Sequence, residues 1–229
     1  GWSKHRLKTH TVACYIGASG QDYLLSQIKS KHQPKAHTLS GNALNMLANR
    51  LSYYFDWSGP SMVVDTACSS SLSALARAVD TLHLQKADFC FVAAANLILD
   101  CHTLKALNEG GFLSKNYRCA SFSDAADGYV RGEGIIGYLL KPLSMAIQDG
   151  DHIHAVIESI SENHGGQAAS LTAPNQEAQT HLLMNAYSEQ QREHLSYIET
   201  HGTGTKLGDP IEMEALLQFE QNALQKNHH

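Results

Sequence analysis

Apolar runs rich in valine, isoleucine and aromatic residues alternate along this chain with stretches of helical spacing, and this alternation constrains the fold more than any other feature. The strand-like runs are "TVACYIGAS", "SMVVDTA", "DFCFVAAANLIL", "GIIGYLLK", "HAVIESI" and "LSYIET". Strands that alternate with helices are typical of an α/β fold with a buried sheet. We therefore predict an α/β fold for the 229 residues.

Two of the predicted helices carry clear start signals. Asn175, which follows Pro174, is expected to cap a helix whose apolar residues recur at helical spacing. The last helix is expected to begin with Asp209 as its cap and Pro210 at its first helical position. Glu212 then occupies the position of a capping-box glutamate.

Composition argues against several classes of function. The formal net charge of -5 does not favour a nucleic-acid partner, because phosphate neutralisation needs clustered lysine and arginine. The longest apolar run, 89–99, is too short to span a bilayer, so we expect no membrane association. The five cysteines are odd in number and include no C-x-x-C pair, which predicts neither a disulfide framework nor a zinc site. A reducing cytoplasm is the expected location.

Two local patterns resemble cofactor sites without the context that such sites need. "GEGIIG", at 132–137, matches the dinucleotide pattern G-x-G-x-x-G, but a loop-like stretch precedes it and Glu133 would repel a pyrophosphate. His152 and His154 would share one face of a strand, yet no third ligand is evident. We predict no directly bound cofactor and no metal.

Cys68 is the candidate nucleophile, because it lies where a strand-like run meets a helix in "VVDTACSSSLSALARAVDTL". A thiol at a helix N-terminus faces unpaired N–H groups and the positive end of the macrodipole, which favours the thiolate. The same N–H groups can donate to the oxyanion that forms when a thioester is attacked. The small residues around Cys68 permit a tight elbow. The alternative is a buried structural cysteine, which is what we expect of the other four.

His201 is the candidate catalytic base, because it opens a loop rich in glycine and threonine in "ETHGTGTKLGDPIE". Gly202 and Gly204 would let a ligand approach the backbone closely. Thr203 and Thr205 supply hydroxyl groups for an amide-bearing ligand arm. This polar setting argues against a structural histidine in an apolar core.

Four motifs, in matching order and spacing, resemble the β-ketoacyl synthases, most closely the ketosynthase domains of modular polyketide synthases. They are "VDTACSSSL", "DGYVRGEG", "LTAPN" and "ETHGTGTKLGDPIE". The resemblance covers essentially the whole chain. It implies a thiolase-like fold with layers in the order αβαβα, incomplete here. Residues 1–150 would be roughly the N-terminal half without its start, and residues 151–229 the beginning of the C-terminal half.

The family resemblance also implies the chemistry, an acyl transfer followed by a decarboxylative Claisen condensation. Cys68 would accept the acyl chain from the 4′-phosphopantetheine arm of an acyl carrier protein, and His201 would help to decarboxylate a malonyl-type extender. Thr203 and Thr205 would contact the arm, and Tyr129 resembles a position that lines the acyl pocket. The family implies a homodimer within a larger multidomain synthase, in polyketide or fatty acid biosynthesis.

One motif of the family has no counterpart in this sequence. The family carries a second histidine in a later K-x-N-x-G-H segment, whose lysine pairs with the glutamate that matches Glu212. "KNHH", at 226–229, lacks the glycine, and His164 lies upstream of His201. We therefore expect a partial domain that folds poorly and does not condense when expressed alone, with Glu212 serving only as a capping residue.

Two other hypotheses remain open from the sequence. In the first hypothesis, the parent protein is a non-elongating ketosynthase module that holds or transfers an acyl chain and docks a carrier protein. An intact His201 counts against this hypothesis. In the other, Cys68 and His201 belong to an unrelated cysteine hydrolase, although no hydrolase motif accompanies them.

Overall fold

The computed structural model describes residues 2–31 and 33–226, with side chains described as far as residue 221. The chain forms two compact units. The first unit consists of Gly1–Cys101 and Gly132–Glu158, and the second of His102–Arg131 and Ser159–His229. The segment 227–229, which includes most of the "KNHH" stretch, lies outside the described residues.

A four-stranded sheet forms the centre of the first unit. Its strands are β1 (Val12–Gly17), β2 (Ser61–Val64), β3 (Phe89–Asn96) and β4 (Gly134–Leu140). They lie in the order β2-β1-β3-β4, with β2 and β3 parallel to β1 and β4 antiparallel to β3. Every residue of β1 is buried, as its continuous apolar run predicts. Four of the predicted strands are thus confirmed.

The described residues of both units also form α-helices. They are α1 (Lys4–Leu7), α2 (Asp22–Lys29), α3 (Thr38–Asn42), α4 (Met46–Phe55), α5 (Ser70–His83), α6 (Cys101–Glu109), α7 (Leu143–Gln148), α8 (Gln176–Ala186), α9 (Glu189–Glu193) and α10 (Gly208–Lys226). Helix α8 has the predicted cap, because the Asn175 side chain accepts the N–H of Ala178 at 3.1 Å.

The core of the first unit lies on both faces of β1. Alternate residues of a strand point to opposite faces, so Tyr15 packs with Ala74 and Ala78 of α5, whereas Cys14 packs with Ala48 of α4. The three alanines are fully buried, and their small side chains let the helices approach the sheet closely. This packing fixes the start of α5 against the sheet, which matters for the position of Cys68.

Two predicted strands are not formed in the described part of the chain. "HAVIESI" and "LSYIET" have no assigned strand, and no residue in 141–226 belongs to one. A strand requires backbone partners on a neighbouring strand, and the structure pairs neither segment with one. Their apolar side chains are correspondingly exposed, for example Val156 at 52% and Tyr197 at 74%. The strand predictions for these segments are wrong.

Candidate functional site

Cys68 lies on a sharp turn between β2 and α5, as the sequence predicts. The 3-10 turn Ala67–Ser69 carries it, and its side chain is exposed. Ala67 has a φ of 54°, in the left-handed region that residues with a Cβ rarely adopt. Such strain costs about 1–3 kcal/mol and is concentrated at functional sites. The exposure of Cys68 contradicts the alternative of a buried structural cysteine.

Hydroxyl groups hold the backbone of this turn. The Thr66 N–H donates to Ser70 Oγ at 2.9 Å, and the Ser70 hydroxyl donates to the Ala67 carbonyl at 2.6 Å. Ser69 Oγ donates to the Thr66 carbonyl at 2.9 Å, and Thr66 Oγ1 donates to Ser73 Oγ at 3.1 Å. From the sequence, the residues around Cys68 were predicted only to be small enough for a tight elbow, and no hydrogen-bonding role was predicted for these serines. The missed signal is the spacing of three or four residues between hydroxyls at a helix start, which permits such local bonds.

Cys14 and Cys90 are unsuited to nucleophilic chemistry. Both are fully buried in the sheet. Burial raises the pKa of Cys14 to about 11, although a hydrogen bond with Ser52 acts in the opposite direction. Burial also raises the pKa of Cys90 to about 12. The prediction of structural cysteines is correct for these two, whereas Cys101 and Cys119 are exposed.

We expect iodoacetamide at about pH 8 to alkylate Cys68 in the folded protein and to leave Cys14 and Cys90 unmodified. Alkylation requires access and a thiolate, and pKa values of about 11 and about 12 leave the two buried thiols protonated at that pH. Peptide mass mapping measures the reaction, with the denatured protein as the control in which every cysteine reacts. Modification of Cys14 in the folded protein at the rate of Cys68 would contradict the expectation.

Two carboxylates of α10 hold the loop that carries His201. Glu212 accepts the N–H groups of His201 at 2.6 Å and Gly202 at 2.8 Å. Asp209, which is buried, accepts the N–H of Gly204 at 3.0 Å. Hydrogen bonds to a carboxylate are about twice as strong as neutral ones, so these bonds fix the loop backbone while the His201 side chain remains exposed.

These contacts correct the predicted capping roles of Asp209 and Glu212. Helix α10 begins at Gly208, so Asp209 lies within its first turn instead of preceding it. Both carboxylates bond to backbone groups of the preceding loop instead of the helix start. A loop that brings several N–H groups to one place offers these carboxylates more partners than the helix terminus does.

Thr203 and Thr205 lie side by side, with their hydroxyl oxygens 2.9 Å apart. Thr205 Oγ1 also accepts the N–H of Gly208, the first residue of α10, at 3.0 Å. Thr205 therefore satisfies an N–H group at the start of α10, which Asp209 was predicted to do. Contacts of both threonines with a ligand arm stay a prediction.

The segment of Tyr129 meets the His201 loop through its backbone. The Gly128 N–H donates to the Gly204 carbonyl at 2.9 Å, which joins the motifs "DGYVRGEG" and "HGTGT". Tyr129 pairs with a neighbouring extended segment, because its N–H donates to Phe112 and its carbonyl accepts from Ser114, both at 3.0 Å. Its side chain is half-buried, and its position in an acyl pocket stays a prediction.

Asp127 keeps the start of this motif in place. Its carboxylate accepts the hydroxyl of Ser114 at 2.6 Å, the N–H of Lys115 at 3.1 Å and the side-chain amide of Asn116 at 3.0 Å. These hydrogen bonds hold the pKa of Asp127 below its ordinary value, and the bond from Ser114 lowers it most. The ionised carboxylate thus ties the start of this motif to the segment 114–116.

The second unit therefore brings together His201, Thr203, Thr205, Glu212 and the backbone of Tyr129. Cys68 belongs to the first unit. In residues 2–31 and 33–226 the structure contains no group of three or more metal-ligating side chains, and none of its helices has the length and apolar character needed to cross a membrane.

Comparison with known proteins places the chain in one family. Residues 1–146 match the family described as "Beta-ketoacyl synthase, N-terminal domain" and residues 154–228 match "Beta-ketoacyl synthase, C-terminal domain". The chain belongs to the β-ketoacyl synthase family. Membership removes the hypothesis of an unrelated cysteine hydrolase.

Relatives of this chain are polyketide synthases. Polyketide synthase PksL of Bacillus subtilis is 40% identical over 208 residues, which are 90% of this chain and 5% of PksL. The reducing polyketide synthase grgA of Penicillium is 39% identical over 222 residues, which are 94% of this chain and 9% of grgA. The chain thus spans less than a tenth of the length of either relative.

Solved ketosynthase structures share the fold. The ketosynthase from module 6 of the bacillaene synthase of Bacillus subtilis superposes with a TM-score of 0.88 at 33% identity, covering 97% of this chain and 38% of that one. The oxazolomycin ketosynthase domain OzmH KS7 of Streptomyces albus gives 0.87 at 34% identity, covering 96% of this chain and 38% of that one. The predictions of a ketosynthase domain of a modular polyketide synthase and of a partial thiolase-like α/β fold are confirmed.

Proposed function

We propose that this chain carries the acyl-accepting cysteine and one catalytic histidine of an elongating ketosynthase in polyketide biosynthesis. The observation that supports this proposal most directly is the exposed thiol of Cys68 on a strained turn at the start of α5, in a member of the β-ketoacyl synthase family. The proposed substrates are acyl and malonyl-type thioesters on the 4′-phosphopantetheine arm of an acyl carrier protein.

The first step is the transfer of the acyl chain to Cys68. The thiolate attacks the carbonyl carbon of the acyl thioester, a C–S bond forms, and the negative charge moves to the carbonyl oxygen. N–H groups at the start of α5 stabilise this oxyanion. When the oxyanion collapses, the bond to the pantetheine sulfur breaks, so the carrier protein leaves as a thiolate and Cys68 holds the acyl group.

The second step extends the chain by two carbons. The malonyl-type thioester loses carbon dioxide, and the electron pair of the broken C–C bond forms an enolate that a hydrogen bond from His201 stabilises. The enolate carbon attacks the acyl carbonyl on Cys68, a C–C bond forms, and the Cys68 thiolate leaves. No oxidant or reductant is consumed, since the carboxylate supplies the electron pair.

The hydroxyl groups of Thr203 and Thr205 are proposed to contact the amide groups of the pantetheine arm. The bond between the two threonines leaves acceptor capacity on both oxygens, because each hydroxyl oxygen has two lone pairs. Tyr129 is proposed to line the acyl pocket. The backbone bond from Gly128 to Gly204 supports this role, because it places the Tyr129 segment beside the His201 loop.

We expect protein expressed from the complete gene to accept an acyl group on Cys68, and then to release carbon dioxide and form an extended β-keto product with malonyl-carrier protein. The acyl group is located by peptide mass mapping, and the product by mass spectrometry of the carrier protein. Omission of the malonyl substrate is the control and should give acylation alone. Acylation without carbon dioxide release in the complete reaction supports the non-elongating alternative, and absence of acylation refutes both.

Residues 1–150 are proposed to form most of the N-terminal half of the ketosynthase, and residues 151–229 the beginning of the C-terminal half. The two family matches, at 1–146 and 154–228, support this division. The compact units divide the chain differently, because residues 102–131 associate with the later part of the chain.

The proposed assembly is a homodimer within a multidomain synthase in the cytoplasm. β2 is an edge strand of the described sheet and exposes Met62 at 43%, which supports pairing with a second copy. The 229 residues alone are proposed to be inactive in condensation. β4 exposes apolar side chains on both faces, including Ile135 at 72% and Ile136 at 52%, and such surfaces require a covering partner.

A further inference from the structure

We infer that Ser121 is a positioning residue that holds the His201 loop in the geometry needed for decarboxylation. The inference rests on the function proposed for His201. The Ser121 hydroxyl donates a hydrogen bond to the carbonyl oxygen of Gly202, the residue that follows His201. The two residues are 81 positions apart in sequence, so this bond ties the loop to a distant segment of the second unit.

The segment of Ser121 is itself firmly held beside the loop. The N–H of Phe122 donates to the buried carboxylate of Asp209 at 2.6 Å. Cys119 Sγ accepts the N–H of Val130 at 3.2 Å. A Cβ placed on Gly204 would lie only 3.1 Å from the Ala120 nitrogen, so the loop and the segment are in close backbone contact. The backbone around Ser121 is therefore held in place while its hydroxyl donates to the Gly202 carbonyl.

Gly202 needs this restraint because a glycine backbone rotates more freely than that of other residues. It has a φ of 47°, in the left-handed region that glycine adopts with little cost and leaves as easily. Its N–H is held by Glu212, and its carbonyl is held by Ser121. The two bonds together fix the orientation of both peptide groups that flank Gly202. Without the Ser121 hydroxyl, the Gly202 carbonyl loses its restraint and the backbone next to His201 can rotate.

Small displacements of a catalytic group have large effects, since a misplacement of about 1 Å can lower a rate by about a hundredfold. Loss of one hydrogen bond permits only part of such a displacement. We therefore expect Ser121→Ala to lower carbon dioxide release from the malonyl substrate about tenfold. Acylation of Cys68 should not change, because it does not use His201.

The experiment compares Ser121→Ala, Ser121→Thr and Ser123→Ala in protein expressed from the complete gene. Threonine retains the hydroxyl and should restore the rate to within about twofold of the wild type. Ser123 is the matched control, because it is exposed and, within the described residues, its hydroxyl oxygen accepts only the nearby N–H of Ala125, at 3.2 Å. Amide hydrogen exchange of peptides that span 201–205 provides a readout that does not depend on activity. Exchange should be about fivefold faster in Ser121→Ala alone.

Several outcomes would overturn the inference. Unchanged exchange in the loop of Ser121→Ala would show that the hydroxyl does not restrain it. Equal losses of decarboxylation in Ser121→Ala and Ser121→Thr would show that the decarboxylation rate does not depend on the Ser121 hydroxyl. A parallel loss of Cys68 acylation would indicate general structural damage. A wild-type protein that accepts the acyl group and releases no carbon dioxide instead refutes the proposed elongating function, while the exchange measurement still tests the restraint.

Discussion

Replacing Cys68 with alanine is expected to abolish acyl transfer to the protein and to lower condensation by at least about a thousandfold. The other exposed thiols in the described residues, Cys101 and Cys119, do not follow a residue held in the left-handed conformation, as Cys68 follows Ala67. Intact-protein and peptide mass spectrometry of protein from the complete gene measure the loss of the adduct. The free energy of unfolding should change by less than about 0.5 kcal/mol, because the side chain is exposed.

Cys101→Ala is the matched control for Cys68→Ala. Cys101 is also exposed and is the first residue of α6, so its removal tests whether an accessible thiol at another helix start contributes to acylation. The Cys101 variant should acylate at the wild-type rate. If Cys68→Ala still forms the adduct and the extended product, Cys68 has no part in the mechanism and the proposed function is wrong.

The turn of Cys68 was predictable because its determinants are local. The stretch "VVDTACSSSLSALARAVDTL" contains all of them: an apolar run that ends at Cys68, small residues around it, and apolar residues that resume at helical spacing. The left-handed conformation of Ala67 was not predictable, because alanine gives no signal for it. That conformation lies between β2, which pairs with β1, and α5, which packs on the sheet, so it is a property of the fold.

The two incorrectly predicted strands show the opposite case. "HAVIESI" and "LSYIET" have a strand-like composition, but a strand exists only when another strand pairs with it. Composition cannot reveal whether that partner is present. The four correct strands pair with one another within a single sheet, so their local pattern and their tertiary environment agree.

The carboxylates of α10 show how tertiary contacts override a local pattern. Asp209 and Glu212 have the spacing of a cap and a capping box, and this spacing predicts those two roles. The structure turns both toward the His201 loop, and Asp209 also accepts the N–H of Phe122, 87 positions away in sequence. The loop is recognisable from its own glycines and threonines, whereas the groups that hold it depend on contacts remote in sequence.

Replacing Gly17 with alanine is expected to lower the free energy of opening of β1 by about 3 kcal/mol. Gly17 is the last residue of β1, and a Cβ placed there would lie 2.7 Å from the backbone of Ser70 and Ser71 at the start of α5. Backbone atoms cannot rotate away as the end of a long side chain can. The collision is therefore relieved only by moving the helix away from the strand.

Displacement of α5 should also impair Cys68, because the turn that carries the thiol leads directly into the helix. Native-state amide exchange of β1 peptides measures the local stability, and the acyl adduct measures the function of Cys68. Gly20→Ala is the matched control, since a Cβ at Gly20 would meet nothing within 4 Å, and it should change the stability by less than about 0.5 kcal/mol. Equal stability of the two variants would contradict the close packing of β1 on α5. A joint loss of stability and acylation in Gly17→Ala, where Cys68→Ala loses acylation alone, would show that the strand end positions the nucleophile.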